Sequence, residues 1–168
     1  MKNKAFPDPV EFYPTNPDRY IGKTPIIMRS SWETFLAEKL DVHPNVLAWA
    51  SESVIIPYYN PVKKKQMRYH TDFVVEFIDN NRNTIIHVIE VKPFEEANRA
   101  LLLLESQKQK KMLAGIASTS RNKKTRAYQD MTTVVNAAKW KAAMEYCKAR
   151  GWIFQVMTEN QLFGKIKS

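Results

Sequence analysis

The apolar residues of the chain change period several times, and each change marks an element. Residues 1–25 show no period. They carry five of the nine prolines, with Asn, Asp and Thr between them, which predicts an extended arm with little regular structure. From Ser30 the spacing turns helical. Trp32, Phe35, Leu36 and Leu40 share one face, and Ser30 followed by Glu33 matches a capping box, predicting a helix over 31–40 that ends at His43-Pro44. Val54, Ile55 and Ile56 lead as a strand into Pro57-Tyr58-Tyr59, ahead of the basic loop Lys63-Lys64-Lys65. Residues 69–78 and 84–91 are rich in β-branched and aromatic side chains and flank Asp79-Asn80-Asn81-Arg82-Asn83, the pattern of a hairpin.

Residues 95–116 lack Pro and Gly until Gly115 and read as helical, whereas 118–130 are polar and basic and read as a loop. A further helix is predicted over 134–149, with Ala137, Trp140, Ala143, Met144 and Cys147 on one face and Gly151 placed to end it in a left-handed conformation. Residues 153–157 suit a short buried strand, and a last helical turn can start at Glu159. A helix, several strands, then helix and strand again define a mixed α/β domain with a central sheet over 26–168, preceded by the arm.

Composition narrows the partners. A length of 168 residues fits one domain, and a net charge of +9 favours a polyanion, nucleic acid or an anionic membrane surface. Cys147 is the single cysteine, which excludes an internal disulfide and a CxxC-type zinc cluster. Met1–Pro9 lacks the apolar stretch of a signal peptide, and the longest apolar run, Ala100–Leu104, is too short to span a bilayer. A soluble intracellular protein without a membrane partner is expected.

The chemistry gathers on the hairpin. Glu90 and Lys92 are two apart on one strand and so face the same way. If the hairpin pairs symmetrically about Asn81, Asp72 lies opposite Glu90, with Cβ atoms about 4.5–5.5 Å apart. Two carboxylates this close repel unless a cation or proton sits between them. A hard divalent ion such as Mg²⁺, with Mn²⁺ as a substitute, suits oxygen ligands and keeps waters for chemistry at a phosphate, which Lys92 can contact. The competing reading is a solvated Glu-Val-Lys alternation that only pairs charges across the sheet. Against it stands the nearly continuous apolar run 85–91, typical of a strand covered on both faces.

At these residues the chain resembles the PD-(D/E)XK nuclease superfamily, through Asp72 and then Glu90-Val91-Lys92 after a hairpin of this length. Arg29-Ser30-Ser31-Trp32-Glu33, Trp49-Ala50-Ser51-Glu52, Ile56-Pro57-Tyr58 and Arg68-Tyr69-His70-Thr71-Asp72-Phe73 look like the TnsA-type endonuclease branch and, within it, the head completion nucleases of T4-like tailed phages. Asn136–Ala143 and Arg150–Glu159 extend the likeness, which covers roughly residues 12–162. It implies a restriction-endonuclease-like core, a mixed sheet flanked by helices, and a Mg²⁺-dependent DNA endonuclease. Asp72, Glu90 and the Val91 carbonyl would hold the metal, Lys92 would be the catalytic lysine, and Glu33 would reach the same centre. The implied partners are double-stranded DNA and phage head, portal or neck proteins, met in the host cytoplasm during virion assembly. Thr71 departs from the proline in the superfamily's name, at a position that shapes backbone and does not ligate.

Other candidates carry two readings each. Glu33 either closes the capping box or joins the metal site. Lys139 resembles a family position near the active site and can hold a phosphate, or it is a solvated helix lysine. His43, His70 and His87 show no ligand spacing, though His70 can share the face of Asp72. Lys63, Lys64, Lys65 and Arg68, with Arg121, Lys123, Lys124 and Arg126, are solvated loops or neutralise DNA phosphates around the site, giving salt-dependent, sequence-tolerant binding. Two rivals to the leading reading are a head or neck protein that binds DNA without cutting it, and a branch-specific or transposase-type nuclease on the same core.

Overall fold

The computed structural model describes residues 8–106 and 124–164. The arm is laid on the domain by hydrogen bonds. Strand β1 (Val10–Phe12) pairs antiparallel with β2 (Ile26–Met28), and a 3-10 turn lies between them at Pro17–Arg19. Buried Asp41 holds this wrap in place: its Oδ2 accepts from Thr15 N at 2.7 Å and Asn16 N at 3.0 Å. Phe12 then meets Trp49 edge-on, with ring centroids 5.7 Å apart.

Helix α1 (Ser31–Val42) starts where the capping pattern places it. The Ser30 hydroxyl accepts from Glu33 N and donates to Glu33 Oε1, both at 3.1 Å. Strands β3 (Val46–Ser51), β4 (Ile55–Asn60), β5 (Lys65–His70), β6 (Phe73–Ile78) and β7 (Thr84–Val91) follow. Then come α2 (Phe94–Glu105), α3 (Lys124–Lys148), β8 (Ile153–Met157) and the short α4 (Glu159–Leu162). The main sheet has the order β3-β6-β7-β8, antiparallel except for the parallel β7–β8 pair. Strands β4 and β5 form a separate antiparallel pair.

The central sheet is covered on both faces. On one side Ile89, Val91, Phe73, Val75 and Trp49 pack with Leu36, Ala37 and Leu40 of α1. On the other, Ala97 and Ala100 of α2 and Trp140 and Ala143 of α3 pack with Ile56, Tyr58 and Tyr69, against Phe154 and Val156. A mixed sheet flanked by helices is the restriction-endonuclease-like architecture implied by the sequence.

Four local expectations change. Residues 69–78 are not one strand: at Thr71-Asp72 the chain leaves the β4–β5 pair and joins the central sheet. Thr71 N donates to Val54 O at 3.1 Å while Asp72 O accepts from Glu52 N at 3.0 Å, so the two residues serve different neighbours. Strand β3 carries no clear alternation in Val-Leu-Ala-Trp-Ala-Ser, yet it pairs along β6 and buries Val46, Trp49 and Ala50. Residues 124–130 are helical rather than a loop; they lack Pro and Gly, and buried Ala127 continues inward a face that Val134 and Ala137 extend. Strand β8 is a half-exposed sheet edge rather than a buried strand, since only β7 pairs with it. Gly151 has the expected left-handed φ of 68°. The rest of the helix expected to 116 lies outside the described residues, beyond α2.

Candidate active site

The hairpin register sets the site. Asp79 Oδ1 accepts from Asn81 N and Asn83 N, both at 2.8 Å, which fixes the turn. Phe73 then pairs with Ile89 and Ile78 with Thr84, symmetric about Asn81 as expected. Asp72 stands one step before Phe73 and thus opposite Glu90, and its Oδ2 accepts from Val91 N at 2.7 Å. Because Ile89 and Val91 face α1, Glu90 and Lys92 face the α2–α3 side. Lys92 N donates to Met157 O at 2.9 Å, so the parallel β8 carries the strand geometry past Val91 to the lysine.

Three groups from the hairpin converge. Lys92 Nζ lies 3.1 Å from Glu90 Oε1, with the Glu90 side chain 4% and the Lys92 side chain 27% exposed. Glu90 Oε2 accepts from the Tyr69 hydroxyl at 2.7 Å, delivered from β5. Lys139 reaches in from α3 with Nζ 5.3 Å from the centre of the Tyr69 ring. Beside it, Asn136 Nδ2 donates to Glu96 Oε1 at 2.7 Å, tying α3 to α2.

The electrostatics are those of crowded carboxylates. Asp72 keeps some solvent access, but protein surrounds it, and burial followed by the Glu90 charge pushes its pKa to about 8 against the pull of Lys92 and Val91 N–H. Burial works to lower the Lys92 pKa, but Glu90 and Asp72 together outweigh it and hold Lys92 above its ordinary value. Lys139 is the reverse case: burial dominates and lowers it. The Tyr69 hydroxyl is pushed up by burial and by the Glu90 charge, so it stays a donor.

This donor set fits a hard divalent cation. Two carboxylates face one ammonium, and Asp72, raised first by burial and then by the Glu90 charge, gains from a cation beside it. Among the described residues no group of three or more His, Cys, Asp or Glu gathers, so such an ion would rest on Asp72, Glu90 and oxygens of backbone or water.

The remaining candidates separate. Half of the capping box forms: Ser30 caps Glu33 N, while the Glu33 carboxylate takes the Ser30 hydroxyl on Oε1 and Arg29 N, rather than Ser30 N, on Oε2 at 2.9 Å. Glu33 nevertheless lies close enough to Asp72 for its charge to raise that group, so it borders the site while serving the helix. Lys63, Lys64 and Lys65 sit exposed at the β4–β5 turn, and Arg68 is exposed along β5. Arg126 is exposed on α3 and Lys124 begins that helix, while Arg121 and Lys123 lie outside the described residues. His70 is exposed and His87 lies at mid-strand against Phe77. Sequence reasoning gave Tyr69 no role at the site. Tyr69 had a signal, since Arg68-Tyr69-His70 alternates polar and aromatic and turns the phenol inward.

Comparison with known proteins bears on this geometry. A family model described as TnsA-like endonuclease N terminal matches residues 43–159, a span that holds Asp72, Glu90, Lys92 and Lys139 and begins after Glu33. The head completion nuclease of Enterobacteria phage T4 is 32% identical over 153 residues, covering 90% of this chain and 91% of that protein. No solved structure gives a significant match.

Proposed function

Since this chain belongs to the TnsA-like endonuclease family, we propose that it hydrolyses DNA phosphodiester bonds at Asp72, Glu90 and Lys92 with a divalent cation, Mg²⁺ or Mn²⁺, and acts in phage head completion. One observation carries this reading: buried Glu90 paired with half-buried Lys92 at 3.1 Å, with a second carboxylate opposite on the same hairpin.

Each group has a task. Asp72 and Glu90 would hold the cation through carboxylate oxygens, Asp72 itself held by Val91 N–H and Glu90 by Tyr69. When bound, the cation supplies Lewis acidity beside the phosphate and offsets the charge that builds on it. Lys92, held protonated, orients the attacking water or donates to a phosphate oxygen. Water oxygen bonds to phosphorus and the ester P–O bond breaks; of the two water protons, one ends on the departing oxygen and the other is released to solvent or stays on the new phosphate. Lys139 favours a phosphate beside Tyr69, because an anion there offsets the cost of charging a buried lysine. Glu33 steers Asp72 by charge and anchors the start of α1. The exposed Lys63–Lys65 turn and Arg68 track the DNA backbone without reading bases.

The test is supercoiled plasmid incubated with Mg²⁺ and, separately, with a chelator. Nicking or linearisation with metal alone supports the reading. Intact plasmid with Mg²⁺ and with Mn²⁺ contradicts it and favours a DNA-binding head protein. Linear, nicked, single-stranded and four-way DNA compared in parallel identify the substrate form.

A further inference from the structure

A cleft of about 570 Å³ opens between β2 and the β3–β4 connection, and its lining residue Glu52 is hydrogen-bonded to the Asp72 backbone. Such a volume lies within the roughly 300–1,000 Å³ typical of small-ligand sites. Pro25, Ile27 and Ile55 give it apolar walls, and Lys23, Arg29 and His70 supply cationic or ionisable groups. Backbone ties join it to the active centre: Glu52 N donates to Asp72 O at 3.0 Å, and Arg29 N donates to Glu33 Oε2 at 2.9 Å. His70 precedes Asp72 by two residues.

Arg29 already grips an anion there. Its Nε donates to Glu52 Oε1 at 2.7 Å and its Nη2 to Glu52 Oε2 at 3.2 Å, the two-pronged geometry that guanidinium also offers a phosphate. The Arg29 side chain is 61% and the Glu52 side chain 40% exposed, so the pair contributes little stability and exchanges partners readily. Glu52 also holds a left-handed φ of 47°, an unusual conformation for Glu and one that recurs where function dictates backbone shape.

We propose that this cleft seats one nucleotide of the DNA strand beside the scissile phosphate, with Arg29 exchanging Glu52 for that nucleotide's phosphate. This rests on the nuclease reading and names where the strand runs: from Lys139 on one side of Asp72 to Arg29 on the other. Glu52 acts as a stand-in anion that keeps Arg29 oriented in the free protein.

The experiment measures affinity for a fluorescent DNA duplex by anisotropy over a range of salt, in Ca²⁺, for wild type, Arg29→Gln, Glu52→Gln and Ser53→Trp, each checked for an unchanged fold by circular dichroism. Arg29→Gln is expected to bind about tenfold more weakly, with the slope of log affinity against log salt reduced by about one. Glu52→Gln frees Arg29 and removes a negative charge, so it binds more tightly than wild type. Ser53→Trp fills the cleft and weakens binding. A merely structural ion pair would send Arg29→Gln and Glu52→Gln in the same direction, and that result overturns the proposal, as does wild-type affinity in Arg29→Gln and Ser53→Trp. Binding is read without cleavage, so an inactive wild type would sink the nuclease reading while these arms still decide the cleft.

Discussion

The Tyr69 hydroxyl donates to Glu90 Oε2 at 2.7 Å across a boundary between two sheets, β5 belonging to one and β7 to the other. The change of sheet at Thr71-Asp72 makes this possible, because it leaves Tyr69 over the end of β7 while Asp72 drops into the central sheet. One kink therefore positions both Asp72, the proposed metal ligand, and the hydroxyl that holds Glu90.

Tyr69→Phe keeps the ring under Lys139 and removes the donor. Groups that orient a metal ligand typically change affinity by about 10–100-fold when lost, so Mn²⁺ binding by calorimetry is expected to weaken within that range. Unchanged affinity would assign Tyr69 to packing alone.

Asp72→Asn is expected to raise the melting temperature of the metal-free protein at pH 8. A carboxyl whose folded pKa is raised to about 8 contributes stability that is present below its unfolded pKa of about 4 and is lost as pH rises through the folded value. Asn removes that loss, so the difference between variant and wild type grows from pH 4 to pH 8. Adding Mg²⁺ stabilises wild type and leaves the variant unmoved. Scanning calorimetry at several pH values checks both; a variant melting below wild type at pH 8 without metal contradicts the account.

Lys139→Gln leaves the hairpin and its three groups in place. DNA affinity falls, and the salt slope drops by about one, the signature of a lost phosphate contact. Equal salt slopes would return Lys139 to the role of a helix-surface lysine.

Asp41→Ala tests the arm apart from the chemistry. Its carboxylate accepts two part-buried backbone N–H groups, with Trp49 Nε1 at 3.4 Å as a third, buried neighbour, and leaving a buried donor unpaired costs about 1–3 kcal/mol. Urea unfolding should show a loss of that order, with metal affinity retained at temperatures where the variant is folded.

The centre was legible because antiparallel pairing is arithmetic: once Asn81 is taken as the hairpin centre, Asp72 must oppose Glu90. The capping pattern of Ser30 and Glu33 was legible for the same reason, being local. What pattern could not give was partner choice. Strand β3 lacks alternation because Leu47 is exposed while Ala48, Trp49 and Ala50 are all shielded, and nothing in 69–78 says that the chain changes sheets at Thr71. Tyr69 meets Glu90 only through that long-range arrangement.

Single-turnover cleavage of DNA by Lys92→Ala, beside wild type and Asp72→Ala in saturating Mg²⁺, tests the central claim most directly. Removing a group that acts on charge in the transition state costs on the order of 10²-fold or more, so both variants are expected to fall by at least that much. Wild-type rates in Lys92→Ala and Asp72→Ala would place the chemistry elsewhere in the molecule.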